Sequence, residues 1–170
     1  DMCFVPFSPE DKGAGGFYID RYEVTNREYR QFLEAIAGSG DQPYRHPAEP
    51  QSARRVNPEN FASGRYYQYS PSLDSPVVFV SWYDAYAYAQ YKGKRLPTKQ
   101  EWSLAAGPGL YPWGETWQSS QVNTRENAIG HAVRIGDRNI QRDVSPYGVM
   151  ALAGNVQEWT MALEDGYGGS

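Results

Sequence analysis

Ala153-Gly154-Asn155-Val156-Gln157-Glu158-Trp159-Thr160, near the carboxyl end of the chain, is the stretch whose reading decides the fold. Gly154 supplies turn geometry, Glu158 brings a carboxylate just past the turn, and Trp159 is a large ring suited to wedging between segments. The partner stretch upstream is Lys94-Arg95-Leu96-Pro97-Thr98-Lys99-Gln100-Glu101-Trp102. Thr98 with Glu101 three residues on forms a reciprocal capping box, and Pro97 suits the extended entry to a short helix ending near Ala106. Arg95 is placed to hold a nearby carboxylate in a buried bidentate pair. Trp102, Trp113 and Trp159 are expected in the core.

The same grammar opens two longer helices. Thr25 caps a helix with Glu28 as its N3 acid, Val24 and Tyr29 form a hydrophobic staple, and Tyr29, Phe32, Leu33 and Ile36 recur at helical spacing before Gly38. Ser81-Trp82-Tyr83-Asp84 starts the other, with Trp82, Ala85, Tyr86 and Ala89 on one face and Gly93 as its stop. Short strands are expected at Phe17–Asp20 and, buried, at Val77–Val80. Long polar stretches, 39–75 and 107–147, are read as extended packed loops, and Gly166–Ser170 as a flexible tail.

Composition fits a single domain over residues 1–170. Hydrophobic residues at 40% and charged residues at 21% make the chain globular rather than disordered. Sixteen basic against 20 acidic residues leave a net charge of -4, which argues against a general nucleic-acid binder. No apolar run reaches membrane-spanning length. The single cysteine, Cys3, excludes an internal disulfide. A chain opening at Asp1 without a signal peptide is read as a processed or excised form.

Eight blocks then fall in a recognisable order: Phe17 to Asn26, His46 to Pro50, Pro76 to Ala85, Gly93 to Thr98, Tyr111-Pro112-Trp113-Gly114, Asn123, Ser145-Pro146-Tyr147-Gly148, and the Gly154-to-Trp159 motif. In that order they resemble the formylglycine-generating enzymes and their sulfatase-modifying-factor relatives. The resemblance implies an α+β fold of the C-type-lectin-like kind, with a small twisted antiparallel sheet, two main helices and many long loops. It also implies a further C-terminal block that this sequence lacks. Since that block completes the sheet in the family, an open edge is expected to bind the missing segment or a partner chain, or to promote aggregation.

What the resemblance implies about chemistry is mixed. The family's oxidases use a copper-binding cysteine pair beyond the Gly-Asn-x-x-Glu-Trp motif; with Cys3 alone, no copper and no catalytic residue are expected. A betaine-forming branch uses non-heme iron, but His46 and His131 are the only histidines: His46 reads as a structural hydrogen-bond partner, His131 as exposed. The carboxylates Glu126, Asp137 and Asp143 read as solvated. Calcium is the one ion implied. Gly154 and Val156 would offer carbonyls and Glu158 its carboxylate, weakened because Ala151 stands where the family has an Asn or Asp. Asn123, the Thr124 carbonyl and Asp137 would form a second site.

The favoured function is therefore a non-catalytic binding module for a protein or small-molecule ligand, as in the family's regulators and the variable proteins of diversity-generating retroelements. Candidate contacts are Tyr66, Tyr67 and Tyr69 in the first long loop. The rival is an oxidase whose catalytic block lies outside this sequence. A periplasmic or extracellular setting is favoured by the resemblance alone.

Overall fold

The computed structural model describes residues 1–8, 15–57, 64–119, 122–127 and 129–161. The terminal Gly166–Ser170 stretch lies outside them. Two strands, β1 (Met2–Pro6) and β2 (Gly16–Asp20), pair antiparallel with Phe4 opposite Tyr18. Four helices follow: α1 (Asn26–Ser39), α2 (Gly64–Tyr69), α3 (Trp82–Tyr91) and α4 (Lys99–Ala106). The architecture is a small α+β fold.

All three capping boxes are formed. Thr25, Ser81 and Thr98 each accept the N3 amide, and Glu28, Asp84 and Glu101 each reach back to the cap. Each box satisfies two of the amides that a helix start leaves unpaired. Val24 packs with Tyr29 as the staple requires. Helix α1 runs one residue past Gly38 and is capped by Gly40, whose positive φ of 77° suits glycine.

Helices α1 and α3 meet through aromatic rings. Phe32 is fully buried and lies 5.9 Å from Tyr88 and 5.2 Å from Tyr91, ring to ring. A second core lies under the sheet, where Cys3 and Val5 of β1 face Ala105 of α4, Val149 and Leu152. Cys3, the lone thiol, is thus a core side chain.

Two expectations need correction, and one strand is new. Val77–Val80 is not a strand: Pro76 makes an isolated bridge to Thr25, Val77 donates to the Val24 carbonyl, and Phe79 turns the chain at a φ of 61°. That left-handed step ends any ladder and leaves Phe79 54% exposed. The stretch 39–75 is not all loop, since it contains α2 and a 3-10 turn at Gln42–Tyr44. And β1 was not foreseen, because five residues with two buried positions carry too little pattern.

The loop at 41–56 is held down by ions. Arg55, almost fully buried, bonds Asp41 at 2.8 Å, Glu49 at 2.8 Å and the Tyr83 carbonyl at 3.0 Å. Arg45 adds contacts to Asp41 and Glu49. His46 accepts the Ala48 amide and packs edge-on against Trp82 and Tyr86. It is the structural partner its Pro-flanked position suggests.

Candidate functional site

The Gly154-to-Trp159 motif is a loop tied down from below. Asn155 has a φ of 66°, a region Asn tolerates better than most residues. Its amide donates to the Asn123 carbonyl at 2.8 Å, and its side-chain Oδ1 accepts from Asn123 Nδ2 and from the Val133 amide. Its Nδ2 donates to Glu23 Oε2 at 2.6 Å. Gly154 is pressed onto the same strand of chain: a Cβ there would sit 2.6 Å from the Asn123 oxygen. Only glycine permits that approach.

Three carboxylates gather beneath this loop with no cationic partner among the described residues. Asp143, expected in solvent, is fully buried and accepts the Ala153 amide. Burial pushes it up to about 6 against the pull of the Ala153, Gly154 and Leu152 amides. Burial likewise drives Glu158 up to about 7, although Trp102 Nε1 donates to it at 3.1 Å; the Asp143 charge adds to the rise. Glu23 is raised well above its ordinary value by desolvation, partly offset by the bond from Asn155. Its Oε1 is buried and accepts no hydrogen bond among the described residues. Sequence reasoning missed Glu23, which sits in the opening block and meets the motif only in the folded chain, through Asn155, Val156 and Glu158.

Glu23, Glu158 and Val156 also line a cavity of about 460 Å³, within the range of ligand sites. Its walls are mainly apolar: the edge of β2, Tyr88 and Ala89 of α3, Leu96, Trp102 of α4, and Trp159. Trp159 is 47% exposed, with its ring nitrogen bonded to the Val80 carbonyl, so it is a rim residue rather than a core wedge. At one side, Arg95 grips Glu101 with two bonds of 2.6 and 2.7 Å and holds that carboxyl down to about 2. The pair is bidentate as foreseen, but the arginine is half exposed.

The other singled-out residues do not converge here. Tyr66 donates to Asn26 and accepts from the Val78 amide. Tyr69 lies edge-on to Phe79 at 5.3 Å, and Tyr67 is exposed. Asn123 spans the His131 carbonyl and Asn155, and Asp137 accepts from Asn139, its own turn neighbour. Thr124 donates its amide to the Val122 carbonyl. Glu126 accepts from Trp117, and His131 is exposed. Among the described residues, no three His, Cys, Asp or Glu side chains come together at metal-binding spacing.

A glycine pressed on a buried asparagine, a carboxylate one turn on and a tryptophan at the rim set the class of protein. The chain belongs to the sulfatase-modifying factor enzyme 1-like domain family, which is matched over residues 8–168. It is 35% identical over 169 residues to YfmG of Bacillus subtilis, covering 85% of this chain and 33% of that protein. To the inactive C-alpha-formylglycine-generating enzyme 2 of Mus musculus it is 31% identical, covering 85% of this chain and 57% of the relative. To the formylglycine-generating enzyme of Thermomonospora curvata it is 32% identical, with 84% and 58% covered. The chain thus spans only part of the length of these relatives.

Proposed function

We propose that this domain is a non-catalytic binding module for a protein or small ligand, on a scaffold of the C-type-lectin-like kind. The observation that carries the reading is the apolar cavity between β2, α3 and the Gly154-to-Trp159 loop, open at a rim that includes exposed Trp159. Similarity to a relative named as inactive supports it. Exposed Phe79, in strained backbone next to Val80, and the Tyr67 and Tyr69 rings of α2 supply aromatic surface beyond the rim. The test is a titration with 8-anilinonaphthalene-1-sulfonate, followed by fluorescence. One saturable site is expected, lost in Val80→Trp, where the larger ring fills the cavity, while the melting temperature of that variant stays near wild type. Binding unaffected by the substitution would overturn the reading.

The similarity to a named formylglycine-generating enzyme supports a second reading, an oxidase completed by chain outside this sequence. A pair of nearby cysteines in the remainder of the full-length protein, with copper bound, would favour it over the first.

Calcium is proposed as a structural ion at the motif. The residues fit in one respect: Glu23 has an orphaned buried oxygen, and buried Asp143 and half-buried Glu158 have no cationic partner among the described residues. Glu158 and Glu23 would offer carboxylate oxygens, and Gly154 and Val156 carbonyls. Asn123, Thr124 and Asp137 stay a weaker proposal, since the Asn123 and Asp137 side chains serve separate partners. Calorimetry on EDTA-treated protein should show heat of binding and a raised melting temperature on adding calcium; the absence of both would count against the ion.

A further inference from the structure

A second groove lies away from the motif. Gly107 ends α4 at a φ of 92°, and a Cβ there would meet the Pro146 ring at 2.8 Å. The chain after α4 is thus drawn against the segment that holds Pro146. Beyond it, the Tyr111 amide donates to the Gly114 carbonyl and the Gly114 amide to the Tyr111 carbonyl, each at 2.9 Å. That reciprocal pair closes a turn with Pro112 and Trp113 at its tip. The Tyr111 and Trp113 rings then lie face to face, 7° from parallel, with centroids 5.4 Å apart. Trp117 leans on both, at 5.2 and 5.8 Å. The groove has a volume of about 440 Å³, and its lining includes Pro108, Tyr111, Trp113, Glu115, Val144 and Pro146. It shares no lining residue with the cavity under the motif, so it stands independently of the reading of that cavity.

The chemistry of this groove favours a planar cation. The Trp113 and Trp117 indole N–H groups already donate, to the Thr116 carbonyl and to Glu126 Oε2. The rings therefore offer a ligand their electron-rich faces, which attract cations. Glu126, 3.2 Å from the Trp117 nitrogen, adds negative charge at the edge of the cluster. Glu115 is the one charged residue among the described residues that line the groove. It is exposed and makes no hydrogen bond or ion pair among them. No Lys or Arg among the described residues pairs with either acid. A nearly flat pair of rings suits a flat ligand. An ammonium is a compact, strongly hydrated charge, whereas a guanidinium is planar, weakly hydrated, stacks on aromatic faces and forks to a carboxylate. We propose that the groove is a binding site for a guanidinium group, stacked on the Tyr111–Trp113 shelf and donating to Glu115. An arginine side chain and a free guanidino compound carry the same group. A neutral ring could use the shelf too, but it would gain nothing from the Glu115 charge.

The test is a titration of the nitrogen-15-labelled full chain, followed at the indole N–H signals of its tryptophans by nuclear magnetic resonance. The probes are the peptide Gly-Gly-Arg-Gly-Gly, free L-arginine, and the same peptide with lysine or citrulline in place of arginine. Citrulline keeps the shape of arginine without its charge. Saturable shifts are expected at Trp113 and Trp117 with the arginine probes, and none at Trp82, Trp102 or Trp159. The citrulline peptide should bind about fivefold more weakly, as for a charged hydrogen bond made neutral. Glu115→Gln should weaken the arginine peptide by a similar factor, and as a conservative change at an exposed residue it leaves the fold in place. Binding of the peptide but not of free arginine would assign the group to a protein chain, and the reverse to a small metabolite; either supports the site. Lysine or citrulline bound as tightly as arginine would overturn the guanidinium assignment, as would unchanged binding in Glu115→Gln. Shifts confined to Trp102 and Trp159, which line the other cavity, or no saturable shift at any probe concentration, would overturn the site itself.

Discussion

Gly154 shows how tightly one position can be fixed. A methyl there would meet the Asn123 oxygen at 2.6 Å and a Val122 methyl at 2.7 Å, both belonging to a chain segment locked by Asn155. Gly154→Ala should therefore destabilise the domain by about 1–3 kcal/mol, as overpacking does in a close-packed site. Urea denaturation checks it, and an unchanged midpoint would show that the loop yields. The glycine and its role in a turn are legible in sequence. The reason for it is not: Asn123 and Gly154 are 31 positions apart and meet only through the fold. Glu23 and Asp143 escaped a sequence reading for the same cause. Nothing local marks a carboxylate as buried when the groups that bury it come from distant loops.

At the scale of elements, what reads well is what is local. The three helix starts were legible because a capping box is written within four residues, and both partners of each box are in place. Helix α2 and strand β1 were not, since short elements are set by tertiary contacts rather than by their own period. The long loop before α2 is held by Arg55, whose guanidinium bonds Asp41 and Glu49 and lies 3.6 Å from Asp84 at the start of α3. Arg55→Met would leave Asp84 without a cation and Asp41 and Glu49 with only the longer contacts of Arg45. The expected cost is about 3–5 kcal/mol, the range for breaking a buried ion pair from one side. Chemical denaturation would measure it, and a loss below about 1 kcal/mol would mean water reaches the acids freely.

For the whole molecule, the buried acids set the response to pH. In EDTA, Glu158 at about 7 and Asp143 at about 6 stand above their ordinary 4.5 and 3.8. The folded chain then holds more protons than the unfolded one, so their contribution is complete below about pH 4 and is lost as pH rises through about 7. Glu101 acts in the opposite sense: held at about 2, it stabilises above about 4.5, and that gain is lost as pH falls towards 2. The metal-free melting temperature should accordingly peak near pH 4–5 and decline towards pH 8. A bound calcium ion favours the ionised carboxylates, so added calcium should raise the melting temperature more at pH 8 than at pH 5. Equal shifts at both would place calcium elsewhere.

The claim on which the account turns is that the cavity between β2, α3 and the motif receives the ligand. Methyl-labelled full-length protein, titrated with 8-anilinonaphthalene-1-sulfonate and followed by nuclear magnetic resonance, tests it most directly. The account predicts saturable shifts at the cavity methyls of Ile19, Val80, Leu96 and Val156, with those of Ile129 and Ile140 in the separate core around Val133 unmoved. Saturable shifts confined to other surfaces, or no saturable shifts at any dye concentration, would contradict it.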